Sequence, residues 1–189
     1  MKKLDVISKY INTQTPTDLQ IFMNDNIKYG FVGRNGRKYY CDDTDWDRDW
    51  FNECIVQSGD ELLNTLCGTC WDQVELERKW FSEHNYKFKT VFIWFGIEEP
   101  NNYPTHTFLA FFENNKWYWF ENAFHDYRGI HEYNDFETLV DDVISKHLQS
   151  TIDSGVAKPE DKKLIKSYKY QKPKTSLNVK EYISHVVGR

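Results

Sequence analysis

Apolar and polar residues alternate along this chain at two periods, one typical of helices and one typical of strands. Residues 15–27 begin with Thr-Pro and place Leu, Phe, Met and Ile on one helical face, which predicts a helix with proline in its first turn. Residues 134–148 begin with Asn-Asp-Phe-Glu and predict a second such helix. Its apolar stripe consists of Phe136, Leu139, Val140, Val143, Ile144 and Leu148.

Two capping signals follow each other between these segments. Ser58-Gly59-Asp60-Glu61 precedes a leucine-rich stretch and predicts a short helix that runs to about Cys67 and stops at Gly68. The sequence from Thr69 to Asp72 repeats the pattern of a hydroxyl residue followed three positions later by an acid. It predicts a second helix with Thr69 as its N-cap and Cys70 in its first turn.

Strand signals occupy the remaining parts of the chain. The segments TVFIWFGI (90–97), THTFLAFF (105–112) and KWYWFENAF (116–124) are rich in β-branched and aromatic residues, and the last two flank the tight turn ENNK. A smaller hairpin is predicted around Asn35-Gly36. Early helices, a central antiparallel sheet and a later helix indicate the α+β class.

The charge of the chain divides it into two parts. Residues 156–189 hold nine Lys and Arg against three Asp and Glu, whereas residues 1–155 hold 15 against 26. The acidic charge of residues 1–155 makes nucleic acid an unfavourable partner. We therefore expect one domain over residues 1–155, and a Lys-rich extension that packs on this domain, remains partly flexible or docks a partner.

The composition and the apolar pattern indicate a folded domain without a membrane span. Aromatic residues make up 17% of the 189 residues, enough for a substantial core. No apolar run is long enough for a membrane span, and the first residues do not resemble an export signal. With only four cysteines and no such signal, we expect reduced thiols and a cytoplasmic location.

The acidic run CDDTDWDRDWF could suggest a calcium loop. Counted from Asp43, however, the position of the obligatory glycine holds Arg48 and that of the closing glutamate holds Cys54. The run is therefore interpreted as a solvated acidic loop.

Cys70 is the strongest candidate for chemistry. A cysteine in the first turn of a helix lies near unpaired backbone N–H groups and the positive end of the helix dipole, which favour its thiolate. Cys67 is expected near helix-end carbonyls, so it is interpreted as structural.

The predicted hairpin supplies a base and a residue to orient it. With a tight turn at Asn114-Asn115, cross-strand partners have numbers that add up to 229, which puts Glu121 diagonal to His106 on one face of the sheet. Asn122 points to the opposite face, although a one-residue bulge would exchange the two. Glu121 is the predicted third member, with Asn122 as the alternative.

The spacing of Cys67 and Cys70 admits two other interpretations. A thioredoxin-type redox pair would directly follow a strand, whereas the residues before Cys67 predict a helix. A zinc site would combine these two with Cys41 and Cys54, but Cys41 and Cys54 are too far apart in the chain to form a second Cys-x-x-Cys pair. No cofactor and no metal are therefore predicted.

These motifs together resemble the transglutaminase-like superfamily, which is related to the papain fold. The resemblance rests on Gly-x-Cys-Trp-Asp (68–72), Thr-His-Thr-Phe (105–108) and the aromatic strand that ends in Glu121, and it extends from about Leu19 to about Val143. It implies a helix bearing the nucleophile packed on an antiparallel sheet, in which cysteine attacks a carbonyl, histidine moves the proton and an acid orients the histidine. Glu121 departs from the usual aspartate.

The resulting hypothesis is an acyl-transfer enzyme with Cys70, His106 and Glu121 as its triad, acting on a glutamine side chain or a peptide bond of a protein substrate. The backbone N–H of Cys70 could serve in an oxyanion hole, with Gln57 or Trp46 as the second donor, and Trp71 could line the cleft. The alternatives are a non-catalytic protein-binding module on the same fold and a zinc-stabilised adaptor. The sequence does not indicate the oligomeric state.

Overall fold

The fold was analysed in a computed structural model, which describes residues 3–41, 50, 52–95, 105–173 and 176–188. In these ranges no helix is both long and apolar enough to cross a membrane. The acidic run of residues 42–49, which includes Arg48, lies outside the described residues, so its interpretation as a loop stays a prediction.

Six helices are described. They are α1 (Lys3–Ile11), α2 (Pro16–Asn26), α3 (Gly59–Thr65), α4 (Cys70–Glu83), α5 (Phe136–Asp153) and α6 (Val179–Val187). Short 3-10 turns occupy His125–Tyr127 and Pro159–Leu164. The helix predicted after Thr15 is confirmed as α2, where Thr15 and Asp18 form a reciprocal capping box.

Among the described residues, eight strands form two sheets. They are β1 (Lys28–Val32), β2 (Lys38–Tyr40), β3 (Cys67–Gly68), β4 (Lys87–Trp94), β5 (His106–Glu113), β6 (Lys116–Glu121), β7 (Gly129–Tyr133) and β8 (Lys166–Lys169). The small sheet has the order β2-β1-β3, and the large one has the order β7-β6-β5-β4-β8 with antiparallel neighbours throughout. The α+β class predicted from the sequence is confirmed.

Helices cover both faces of the large sheet because both faces are apolar. On one face Phe108 and Ala110 of β5 pack against apolar residues of α5. On the other, Leu109 and Phe111 belong to a cluster that includes Phe81 of α4 and residues of α1 to α3. Burial on both faces explains why these strands are continuous apolar runs without alternation.

The β5–β6 hairpin adopts the predicted register. Asn114 and Asn115 both have left-handed backbone conformations, with φ of 49° and 60°, as a two-residue hairpin turn requires. Glu113 pairs with Lys116 and Leu109 pairs with Phe120. This register places the start of β5 beside the end of β6.

The short helix ends earlier than the sequence analysis predicts. α3 ends at Thr65, and Leu66 adopts a left-handed conformation that closes it. Cys67 and Gly68 form β3, which pairs in parallel with β1. Cys67 therefore lies in a strand directly after the C-cap residue, and the prediction that the helix runs to about Cys67 is wrong.

The Lys-rich segment is built into the domain. β8 pairs with β4 at the edge of the large sheet, and Tyr170 and Tyr182 belong to the same apolar cluster as Trp71. Tyr182 is completely buried, stacks on Trp71 at a centroid distance of 4.3 Å and donates a hydrogen bond to the Tyr170 hydroxyl. The cationic residues of this segment are compatible with packing because its aromatic residues face inwards.

Replacing Tyr182 tests how strongly this segment stabilises the domain. We expect Tyr182→Ala to lower the free energy of unfolding by roughly 3–5 kcal/mol, because it removes a buried aromatic ring. Tyr182→Phe loses only the hydroxyl and should cost about 1 kcal/mol. Urea denaturation measures both, with the exposed Lys180→Ala in the same helix as control. A Tyr182→Ala effect as small as that of the control would show that the segment adds little stability.

Candidate active site

The N-terminus of α4 is held by the strand that precedes it. β3 pairs with β1 through Lys28 opposite Cys67 and Tyr29 opposite Gly68, and the helix begins two residues later at Cys70. A Cβ at Gly68 would lie 2.7 Å from the Cβ of Asp72, so only glycine allows this approach. The Gly-x-Cys spacing thus follows from the packing of the strand against the first helical turn.

Asp72 caps this turn by accepting hydrogen bonds. Its Oδ2 accepts hydrogen bonds from the Thr69 N–H (2.7 Å) and hydroxyl (3.0 Å), and its Oδ1 accepts one from the Gln57 N–H at 2.7 Å. Burial raises the pKa of Asp72 to about 7, although these hydrogen bonds act in the opposite direction. The carboxyl group therefore joins the segment at Gln57 to the first turn of α4.

His106 and Glu121 meet where β5 begins and β6 ends. The His106 Nε2 lies 2.8 Å from the Glu121 Oε2, and both side chains are buried. The Glu121 carboxylate also accepts hydrogen bonds from the indole N–H of Trp119 (3.1 Å) and the backbone N–H of Phe124 (2.7 Å). The proximity predicted from the hairpin register is observed, and three donors fix the orientation of the acid.

Cys70 also interacts with His106, since it is among the groups that raise the pKa of the imidazole. Because Nε2 faces Glu121, Nδ1 is the ring nitrogen left for the sulfur. Burial disfavours the imidazolium, but Glu121, through its charge and its hydrogen bond, and Cys70 together outweigh it and raise the pKa of His106 to about 10. At neutral pH this imidazole holds a proton between an acid and a sulfur.

A cleft of about 220 Å³ opens beside His106. Its walls come from β1, from the residues after β6 and from the last turns of α5. They are Tyr29, Thr105, His106, Ala123, Phe124, His125, His147, Ser150, Thr151 and Ser154. The cleft is small and partly polar, and a single side-chain amide with its adjoining methylenes is of a size that would fit it.

Asn122, the alternative third member, lies on the other face of the sheet. Its Nδ2 donates to the Gln73 Oε1 at 2.7 Å, and Gln73 in turn donates to the Gly68 carbonyl at 3.0 Å. No bulge exchanges it with Glu121, so the acid and not the amide faces His106. Asn122 instead contributes to holding the loop before Cys70.

Gln57 and Trp71 occupy places other than those expected. The Gln57 Nε2 donates to the Cys67 carbonyl at 2.8 Å, so the amide is committed to the backbone before the helix and is not aimed into the cleft. Trp71 is buried in the core against Tyr182 and Trp50 and is not among the cleft residues. Trp46 lies outside the described residues, so its assignment stays a prediction.

The remaining cysteines differ in exposure. Cys54 and Cys67 are buried, Cys41 is exposed, and none of the four takes part in a disulfide. The Cys67 Sγ lies 3.8 Å from the Phe31 carbonyl, away from the helix N-terminus. In the described part of the chain no group of three or more His, Cys, Asp or Glu side chains is arranged to hold a metal ion.

Three residues near the site were not singled out by the sequence analysis. Cys70 is among the groups that raise the pKa of Tyr29, and the ring of His147 lies 5.9 Å from that of His106. Glu77 is buried in α4, and its Oε2 has no hydrogen-bond partner among the described residues. Of these three, only Glu77 could have been placed near the site from the sequence, because it lies seven positions after Cys70 and thus on the same helical face.

Comparison with known proteins finds no matching family model, no matching curated protein and no matching solved structure. The chemistry of the site therefore has to be argued from its own geometry.

Replacing Glu77 tests the electrostatics of the buried helix. Burial, and next the charge of Glu121, raise the pKa of Glu77 well above its ordinary value of 4.5. Above about pH 4.5 the unfolded chain releases this proton while the folded chain keeps it, so the group destabilises the fold increasingly as pH rises. We expect Glu77→Gln to gain stability relative to wild type at about pH 8 but little at about pH 4.

Denaturation of both proteins at the two pH values measures this difference. Glu160→Gln, at an exposed position, is the matched control and should change stability by less than about 0.5 kcal/mol. A Glu77→Gln effect of the same size at both pH values would contradict a raised pKa for this carboxyl group.

Proposed function

We propose that this chain is a cysteine-nucleophile acyl-transfer enzyme of transglutaminase-like type, with Cys70, His106 and Glu121 as its triad. The observation that carries the proposal is the buried hydrogen bond between His106 and Glu121, together with the position of Cys70 at the N-terminus of α4, where it acts on the pKa of His106. A nucleophile, a proton carrier and a group that orients the carrier are the elements that covalent acyl transfer requires.

The first step forms a thioester. Cys70 attacks the carbonyl carbon of an amide while His106 holds the thiol proton, and the C=O electron pair moves onto oxygen. When the tetrahedral intermediate collapses, the C–N bond breaks and the leaving amine takes the proton from His106. Glu121 stabilises the imidazolium until His106 gives its proton to the leaving amine.

The second step releases the acyl group. Water or an amine attacks the thioester, gives its proton to His106 and regenerates the thiol. The small cleft beside His106 favours a glutamine side chain over a peptide bond as the acyl donor, because a peptide would require an open groove on both sides of the scissile bond. The proposed location is a reducing compartment such as the cytoplasm, where the thiol of a nucleophilic cysteine stays reduced.

Alkylation by iodoacetamide tests the central pair of the triad. We expect Cys70 to react faster below about pH 7 than Cys41, the exposed internal comparison, because His106 is placed to assist Cys70 as a nucleophile. His106→Ala should slow the reaction of Cys70 by roughly 100-fold. Peptide mass spectrometry reads the rate at each cysteine, and the exposed His185→Ala, far from the site in sequence, is the control.

If Cys70 reacts no faster than Cys41 and His106→Ala changes nothing, the pair does not function and the chain is not this type of enzyme. A protein-binding module, which needs no activated thiol, would then be the better hypothesis. Such an outcome would direct the search to partners instead of substrates.

The pH profile of turnover tests the role of Glu121. The charge of Glu121 is a principal reason that the pKa of His106 is raised to about 10, so wild type should keep its proton donor up to about that pH. Glu121→Gln removes the charge and lowers this pKa, so the alkaline limit of activity should move to lower pH. Ammonia release from a glutamine-containing peptide measures it.

The exposed Glu132→Gln on β7 is the matched control for this experiment, since it removes a carboxylate without touching His106. An unchanged alkaline limit in Glu121→Gln would show that the acid does not hold the proton on the imidazole.

A further inference from the structure

The proposed reaction leaves one requirement unfilled. When a thiol attacks an amide, negative charge develops on the carbonyl oxygen, and enzymes stabilise it with two fixed donors. The first N–H groups of α4 have no partner within the helix, so the backbone of Cys70 can supply one donor. Gln57 donates to the Cys67 carbonyl instead, so a second donor has to come from elsewhere.

Tyr29 is held in the position that such a donor needs. It lies on β1 opposite Gly68, in the strand pair that leads directly into Cys70, so the backbone fixes its distance from the helix N-terminus. Its side chain is half-buried, and Cys70 is among the groups that raise its pKa. It also lines the cleft beside His106, where the acyl group would enter.

We propose that Tyr29 is a catalytic residue whose hydroxyl donates to Cys70 in the free enzyme and to the substrate carbonyl oxygen once Cys70 has attacked. This inference rests on the proposed function and completes it. It also assigns a chemical reason to a tyrosine that neither the sequence pattern nor the resemblance singled out.

The exchange of hydrogen-bond acceptors follows the movement of charge. As the C–S bond forms, the sulfur loses its negative charge, and the C=O electron pair becomes a charged oxygen one bond away. The phenol keeps its proton throughout and turns from the sulfur to the oxygen. When the C–N bond breaks, the C=O bond re-forms, the amine takes its proton from His106, and the phenol is released unchanged.

The surroundings of Tyr29 keep it a donor. Burial, and then Cys70, raise the pKa of Tyr29 well above its ordinary value of 10. The phenol therefore remains protonated over the range in which the enzyme would work. A phenol that lost its proton next to a sulfur anion would repel both the nucleophile and the oxyanion.

Two reagents that react at the same sulfur separate this role from a structural one. p-Nitrophenyl acetate acylates a thiol through a tetrahedral oxyanion, whereas iodoacetamide alkylates it by displacement at carbon without one. We expect Tyr29→Phe to slow acylation of Cys70 by roughly 100-fold while its alkylation changes by less than about threefold. The ratio of the two rates cancels any change in the reactivity of the sulfur itself.

Pre-steady-state release of p-nitrophenolate gives the acylation rate, and peptide mass spectrometry gives the alkylation rate. Tyr39→Phe is the matched control, because Tyr39 lies in β2 of the same sheet and packs in the same cluster as Cys70, stacked on Phe31. It should leave both rates close to those of wild type.

The outcomes distinguish the two proposals. If Tyr29→Phe slows both reactions equally, or neither, Tyr29 is not an oxyanion donor and this inference is overturned while the triad stands. If wild type is alkylated at Cys70 but never acylated, the proposed function fails, and the inference fails with it.

Discussion

Helix α4 carries charged side chains into the interior of the protein, where water cannot solvate them, so each has to be neutralised or paired by the fold. Glu75 and Arg78 form a buried ion pair at 3.2 Å, and Arg78 also donates to the Thr90 hydroxyl at 2.9 Å. Thr90 donates in turn to the Tyr170 carbonyl at 2.8 Å. This series of contacts connects the helix to β4 and to the C-terminal segment.

The same constraint fixes the position of the site. A buried helix cannot shift without breaking these contacts, so its N-terminus stays where β5 begins and β6 ends. Asp72 and Gly68 bring the preceding strand against the first turn, and Glu121 orients His106 through a carboxylate with three donors. The candidate nucleophile and its proton carrier are thus held by parts of the core, which is the preorganisation that acyl transfer needs.

Local chemistry accounts for the parts of this fold that were predicted correctly. The capping signal at Thr69, the Asn114-Asn115 turn and the helical stripe after Asp135 each act within a few residues, and all three are observed. The turn is the most informative of them, because its length sets the register of two long strands. Through that register it places Glu121 beside His106 across 15 residues of chain.

Long-range packing accounts for what was missed. The sequence WDQVELERKWF has the charges of a surface helix, and nothing local shows that Glu77 and Arg78 are buried. The C-terminal segment has the composition of a solvated tail, yet Tyr170 and Tyr182 complete the core around Trp71. The strand at Cys67 was mistaken for the end of a helix, because two residues are too few to show a period.

By itself, therefore, the sequence determined the capped helices of the first 155 residues, the helix start at Cys70 and the hairpin register that joins His106 to Glu121, because capping and turn preferences act over short distances. Only the tertiary structure decided that Tyr29 meets Cys70, that Gln57 and Trp71 face away from the cleft, and that the Lys-rich segment belongs to the core. Those contacts join residues far apart in the chain, and their energies depend on burial that no local pattern encodes.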